Sequence, residues 1–245
     1  MTLKHKIALA CGLVAMTTAG FAQSAPTATE TNLWKTSAAA GLTLTRGNSD
    51  STTFTANLLA SRKWTANELD LGVDGTYGKA NGVKNAESLH GFSQYNRLFS
   101  ERFFGLMRVD ALHDAVADLD YRLTLSPGVG YYFIKNKTTF LRGEVGPGFV
   151  YEKLGGETDG YATLRVAERF EHTFTEHAKM WQSLEWLPQM DDFNNYVINA
   201  EVGLDTAITK KLSLRTFLQD TFDNEPAPGR KKNDLKLVSA LAYTF

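Results

Sequence analysis

The chain has 245 residues, with 26 Lys or Arg against 27 Asp or Glu, a formal net charge of −1 and one cysteine. This balance argues against nucleic-acid binding by bulk electrostatics, which rests on a basic excess, and a chain that is 43% hydrophobic and 22% charged is no disordered tail. Outside the extreme N-terminus no apolar stretch is long enough to span a bilayer as a helix.

The first element is a leader. Lys4, His5 and Lys6 form a basic start, Ile7 to Ala19 is an apolar run too short for a membrane helix, and Gly20-Phe21-Ala22 puts small residues at −3 and −1 before Gln23. This predicts a Sec signal peptide over residues 1–22, cleaved after Ala22, followed by a flexible polar lead-in over 23–33. Cys11 lies inside the apolar run, so the mature chain of 245 − 22 = 223 residues has no cysteine for a disulfide or a thiolate metal site. Loss of Lys4 and Lys6 leaves 24 basic against 27 acidic residues, a mature charge of −3.

From residue 34 onward the pattern has period two, the signature of strands with one apolar face. In chain order it predicts strands near 34–46, 52–64, 68–79, 89–99, 103–114, 121–133, 138–151, 161–174, 178–188, 196–208, 212–222 and 235–245. Leu123, Leu125, Val129, Tyr131 and Phe133 oppose Arg122, Thr124, Ser126, Gly128 and Gly130. Val145, Pro147, Phe149 and Tyr151 oppose Arg142, Glu144, Gly146 and Gly148. Tyr196, Ile198, Val202 and Leu204 oppose Asn199, Glu201, Gly203 and Asp205, and Leu235, Leu237, Leu241 and Tyr243 oppose Lys236, Val238, Ala240 and Ala242. The register of the fourth and fifth strands stays open, because both faces mix apolar and polar groups.

These segments are longer than the five or six residues usual in soluble sheets and match the length a tilted strand needs to cross a bilayer. Their connections alternate. Thr65 to Asn67, Ser100 to Arg102, Lys135 to Lys137, Thr175 to His177 and Thr209 to Lys211 are tight, while 47–51, 80–88, 115–120, 152–160, 189–195 and 223–234 are longer. An even number of antiparallel strands with short turns at one end and long loops at the other predicts an all-β transmembrane barrel of about twelve strands over 34–245, both termini periplasmic. Trp64, Tyr77, Phe99, Phe103, Tyr131, Phe133, Tyr151, Tyr161, Phe174, Trp186, Tyr196, Phe222, Tyr243 and Phe245 fall near strand ends, where rings suit the membrane interface. Phe245, preceded by alternating apolar residues, is similar to the signal by which barrel-assembly machinery recognises its substrates. The competing fold is a soluble β-sandwich or lipocalin-like barrel with its large residues inward.

Several motifs together carry a family resemblance. Gly41-Leu42-Thr43-Leu44-Thr45-Arg46-Gly47-Asn48-Ser49, Leu119-Asp120-Tyr121-Arg122 with Gly128-Val129-Gly130-Tyr131, Gly143-Glu144-Val145-Gly146-Pro147-Gly148, and Asp223-Asn224-Glu225-Pro226 with Lys232-Asn233-Asp234 resemble the YdiY-like, salt-induced outer membrane protein family, a domain of unknown function. The resemblance runs from about Trp34 to Phe245. It implies an outer-membrane β-barrel of a Gram-negative bacterium, with no established substrate or reaction and no catalytic residue to carry over.

The chemistry is therefore weighed on the inner face. Strand parity turns inward Lys63, Asp70, Asp74, Arg108, Asp110, Arg122, Arg142, Glu144, Arg165, Arg169, Glu171, Glu185, Glu201, Asp205, Arg215 and Lys236, eight basic and eight acidic groups with no single-sign field. These either form ion-pair ladders that fill a narrow lumen, giving a structural barrel of the stressed envelope, or line a small polar channel that selects solutes. A lipid hydrolase is the enzymatic rival. Ser88, His90 and Asn96 share a face, while Ser93 lies on the other, and His113 and His172 face outward near strand ends. The reading here is non-enzymatic, without cofactor.

Asp114, Asp118 and Asp120, and Asp191 with Asp192, offer carboxylates for Ca²⁺ but lack the Asp-x-Asp-x-Asp-Gly loop pattern, so no metal site is assigned. Arg230, Lys231 and Lys232 form the one basic run, solvated or set against lipopolysaccharide phosphates. Outer-membrane lipid and lipopolysaccharide are the expected surroundings, nucleic acid is not a partner, and the oligomeric state is open. Glu168 fits badly: it has outward parity between Val166 and Phe170, where a charge costs energy in hydrocarbon. A bulge that shifts the register is the expected resolution, with a partner barrel as the other.

Overall fold

The computed structural model describes residues 34–45 and 51–245. The leader expected over 1–22, the lead-in over 23–33 and Gly47-Asn48-Ser49 of the first hairpin lie outside the described residues. The strands in chain order are β1 (Trp34–Thr45), β2 (Ser51–Lys63), β3 (Asn67–Ala80), β4 (Val83–Leu98), β5 (Phe103–Asp114), β6 (Leu119–Lys135), β7 (Thr139–Leu154), β8 (Glu157–Thr175), β9 (Ala178–Pro188), β10 (Tyr196–Ala207), β11 (Leu212–Asp223) and β12 (Asn233–Thr244). Each pairs antiparallel with its sequence neighbours. Pairing of β1 with β12, from Ser37 opposite Thr244 to Ala40 opposite Leu241, closes the barrel. No helix among the described residues is long and apolar enough to cross a membrane.

The faces are inverted relative to a soluble protein. Along β6, Leu123, Leu125, Val129, Tyr131 and Phe133 are exposed while Arg122, Ser126 and Tyr132 are buried. A soluble sandwich or lipocalin-like barrel would bury the first set, and here the apolar residues form the outer wall. The lumen is narrowed unevenly. Ala39, Val238, Ala240 and Ala242 make a smooth inner wall on β1 and β12, packed by Phe217, whereas Phe104 and Tyr132 stack opposite with ring centroids 4.8 Å apart.

Two long connections of the sequence reading are in fact strand. β4 begins at Val83 and β8 at Glu157, so the segments 80–88 and 152–160 shrink to the turns Asn81-Gly82 and Gly155-Gly156. All four residues have positive φ, 51° and 79° then 60° and 84°, the conformation a two-residue hairpin turn requires and one that Asn and Gly adopt readily. The added strand carries no apolar alternation, consistent with arms that rise beyond the bilayer: β8 has 19 residues, against the 9–11 or so that a tilted crossing needs.

Between β6 and β7 the hydrogen-bond ladder breaks in mid-wall. β6 and β7 pair through Leu125 opposite Phe149 and resume at Val129 opposite Val145. The gap centres on Pro127 and Pro147, opposed in that register. Neither has an N–H, so neither of the two bonds an opposed pair exchanges can form. The backbones close up instead: a Cβ on Gly128 would stand 2.7 Å from the Val145 carbonyl oxygen.

Two expectations about orientation fail. Tyr161, read as an interfacial ring, points into the lumen and donates to Glu152 at 3.1 Å, because β8 starts earlier and its end lies well above that residue. No bulge rescues Glu168. The β7–β8 register is unbroken from Thr139 opposite His172 to Leu154 opposite Glu157, and the β8–β9 shift falls at Thr173/Thr175. With Arg165, Arg169 and Glu171 buried on the odd parity, Glu168 stands on the outer face.

Candidate functional site: the lumen

Alternate side chains of twelve strands converge on the lumen, and the polar ones meet in chains. On β5, Arg108 grips Asp110 in a fork, Nε to Oδ2 at 2.8 Å and Nη2 to Oδ1 at 2.6 Å, and its Nη1 donates to Gln94 Oε1 at 3.2 Å. Gln94 Nε2 in turn donates to Glu144 Oε1 at 3.0 Å. Glu144 also receives Arg165 Nη1 at 2.8 Å and pairs with Arg142 at 3.0 Å. Arg165 Nε reaches Glu185 at 2.6 Å, Asn199 donates to the other Glu185 oxygen at 3.2 Å, and Thr221 donates to Asn199 at 3.2 Å. This one run links β4, β5, β7, β8, β9, β10 and β11, and nearly every charge in it has an opposite partner, as buried ions require.

Shorter runs fill the rest. Glu171 takes Arg169 at 2.8 Å and Lys179 at 2.7 Å; Arg215 pairs with Asp205 at 2.9 Å; Trp181 Nε1 donates to Glu201 at 2.5 Å. Lys63 pairs with Glu68 at 3.3 Å, and Asp70 is buried nearby on β3. The inner parity thus holds all sixteen charged groups that the sequence turns inward.

Some of these bonds cross the lumen between strands that are not neighbours. Tyr132 of β6 donates to Glu68 of β3 at 2.5 Å, Gln94 of β4 reaches Glu144 of β7 as above, and Lys236 of β12 donates to Thr76 of β3 at 2.7 Å. Near the outer mouth Arg122 of β6, bonded to Glu152, approaches Asp223 of β11 to 3.9 Å, five strands away. Between the bridges are cavities of about 40 Å³, beside His90, Ser126 and Arg165, and about 50 Å³, beside Trp181, Glu201 and Lys236. Each holds little more than a water or two. A larger cavity of about 190 Å³ lies at the mouth, between Leu119, Arg122 and the β11–β12 loop. There Ala227 and Pro228 pack beside Gly155 of the β7–β8 turn, so that loop folds over the opening.

The remaining candidates are dispersed. Ser88, His90 and Asn96 are all buried inside, but His90 Nδ1 faces Asp74 at 3.1 Å and Nε2 faces Asp110 at 3.2 Å, so neither nitrogen is directed at Ser88. Asn96 donates to Glu68. Ser93 is outward, as are His113, bonded to the Asp120 carbonyl at 2.8 Å, and His172, bonded to Thr139 at 3.0 Å. Asp114 accepts the Val116 and Ala117 amides, Asp120 pairs with Lys153 at 2.6 Å, Asp118 takes positive φ in the turn, and Asp192 accepts the Asn194 amide. Among the described residues no group of three or more His, Cys, Asp or Glu could hold a metal ion. Arg230 and Lys231 line the mouth cavity, and Lys232 donates to Asn224 at 2.9 Å.

Sequence reasoning missed Glu68, Gln94, Glu152 and Tyr132. The signal for the first three was parity: Glu68 shares a face with Asp70 and Asp74, Gln94 with His90, and Glu152 with Arg142 and Glu144. Tyr132 was masked by its neighbours Tyr131 and Phe133, which read as interfacial.

Comparison with solved structures finds a similar fold in the NanC porin. The NanC porin aligns with a TM-score of 0.50 at 8% identity, over 86% of this chain and 96% of that one. The KdgM porin in complex with disordered oligogalacturonate gives 0.48 at 10% identity, over 87% and 99%, and the translocator domain of the autotransporter NalP from Neisseria meningitidis gives 0.44 at 10%, over 86% and 87%. At such identities the likeness is one of fold. No curated protein matches the chain. A family described as "Protein of unknown function, DUF481" matches residues 38–245.

Proposed function

The chain belongs to that family of unknown function and is a closed twelve-stranded β-barrel similar in fold to the NanC porin; from this premise we propose that it is a non-enzymatic, structural barrel of the outer membrane whose resting lumen conducts no solute. The observation that carries the reading is the set of bonds across the lumen, Tyr132 to Glu68, Gln94 to Glu144 and Lys236 to Thr76. An ion entering must break charge-assisted bonds between buried groups, which is costly. The balanced signs offer no field to draw either ion in.

The same reading includes export by a Sec leader cleaved after Ala22, residues 23–33 as a periplasmic lead-in, insertion by the barrel-assembly machinery of a Gram-negative bacterium, and a role in adapting the envelope to stress. It is supported by the residue pattern of the leader and by the alternating, aromatic-tipped β12 strand. Liposome swelling tests it. Vesicles carrying the purified protein should swell in arabinose, glycine or potassium glutamate no faster than empty vesicles, and rapid swelling in any of the three would replace the structural reading with that of a small-solute channel.

A further inference from the structure

The outer wall holds a polar pair that the closed lumen does not explain. Glu168 stands on the outer face of β8, between Gly143 of β7 and Leu184 of β9. It lies along the strand between Phe174 near the turn and the level of Gly160, which opposes the interfacial Tyr151. Asp220 of β11 shares the outer parity but accepts from Asn233 at 2.8 Å, whereas Glu168 has no such donor. One step along the adjacent strand, Gln182 is also outward, between Phe170 and Val202. Neither Glu168 nor Gln182 makes a hydrogen bond or ion pair among the described residues. The surround is apolar and exposed: Val145, Val166, Leu184 and Val202.

A carboxylate and a carboxamide facing acyl chains leave acceptors and donors unsatisfied in a medium that supplies neither. The two groups are complementary, one accepting and one able to donate, and they sit side by side on one face. That is the composition a two-fold interface needs, where residue i meets j and j meets i. We propose that this face of β8 and β9 docks a second copy of the chain within the membrane, Glu168 of each copy accepting from Gln182 of the other, with Leu184 and Val166 packed around the axis. A foreign partner would need its own donor array, whereas the second copy brings it.

Thiol crosslinking of the whole protein in outer membranes tests this. In a Cys11→Ser background, Leu184→Cys places a thiol beside Glu168, and Val73→Cys places one on the opposite wall, on β3. A short bismaleimide should join Leu184→Cys chains at the mass of two copies and leave Val73→Cys monomeric. Adding Glu168→Leu, or separately Gln182→Leu, should lower the dimer constant about tenfold, for two interchain hydrogen bonds lost in lipid. Both replacements are more lipophilic than the residues they remove, and heat-modifiable mobility on gels reports that each variant is folded. No product from Leu184→Cys, equal product from Val73→Cys, or a product of any other mass would overturn the proposal. None of these outcomes bears on whether the lumen conducts.

Discussion

Glu144 is a junction of the charged ladder in the lumen. It accepts from Gln94 and Arg165 and faces Arg142, all within 3.0 Å. Glu144→Leu should therefore lower unfolding stability in detergent by about 3–5 kcal/mol, because it takes the carboxylate from the buried Arg142 and one of two carboxylates from Arg165, which keeps Glu185. Glu176→Ala, at a turn where the side chain is 87% exposed and faces only His177, should stay within about 0.5 kcal/mol of wild type. Equal urea midpoints for the two variants would show that the ladder contributes nothing. Glu144 was legible in the sequence as an inward charge; its partners were not, since parity fixes a side chain's face but not which residue it meets across a lumen. Tyr132 to Glu68 joins residues 64 positions apart on strands that never pair.

At the scale of elements, strand existence was legible throughout, because each crossing is an apolar and polar alternation imposed by lipid on one side. Alternation ends where lipid ends, which is why β4 and β8 start earlier than their apolar pattern, at Val83 and Glu157. The turns Asn81-Gly82 and Gly155-Gly156 carried the missing signal. The β6–β7 break was likewise present as Pro127 and Pro147, but only the register shows them opposed. The strands close there through glycine, so Gly146→Ala, whose Cβ would strike the Pro127 backbone, should cost about 1–3 kcal/mol of stability measured by urea unfolding. An unchanged midpoint would mean that the two strands separate freely at this point.

For the molecule as a whole, near-zero net charge and a slightly negative mean hydropathy resemble those of a soluble protein only because a barrel averages a lipid face with a charged interior. Glu168 departs from that division without a partner on its own chain, and in the proposed dimer it faces protein rather than lipid. The division also places the central claim in the lumen, where side chains from opposite walls meet. Single-channel recording in planar bilayers examines it directly. The wild-type barrel should show no stepwise current, and a Gln94→Ala, Tyr132→Ala, Lys236→Ala variant, which removes three crossings, should show discrete ohmic steps. Ohmic steps of the same size from the wild-type protein would contradict the closed lumen.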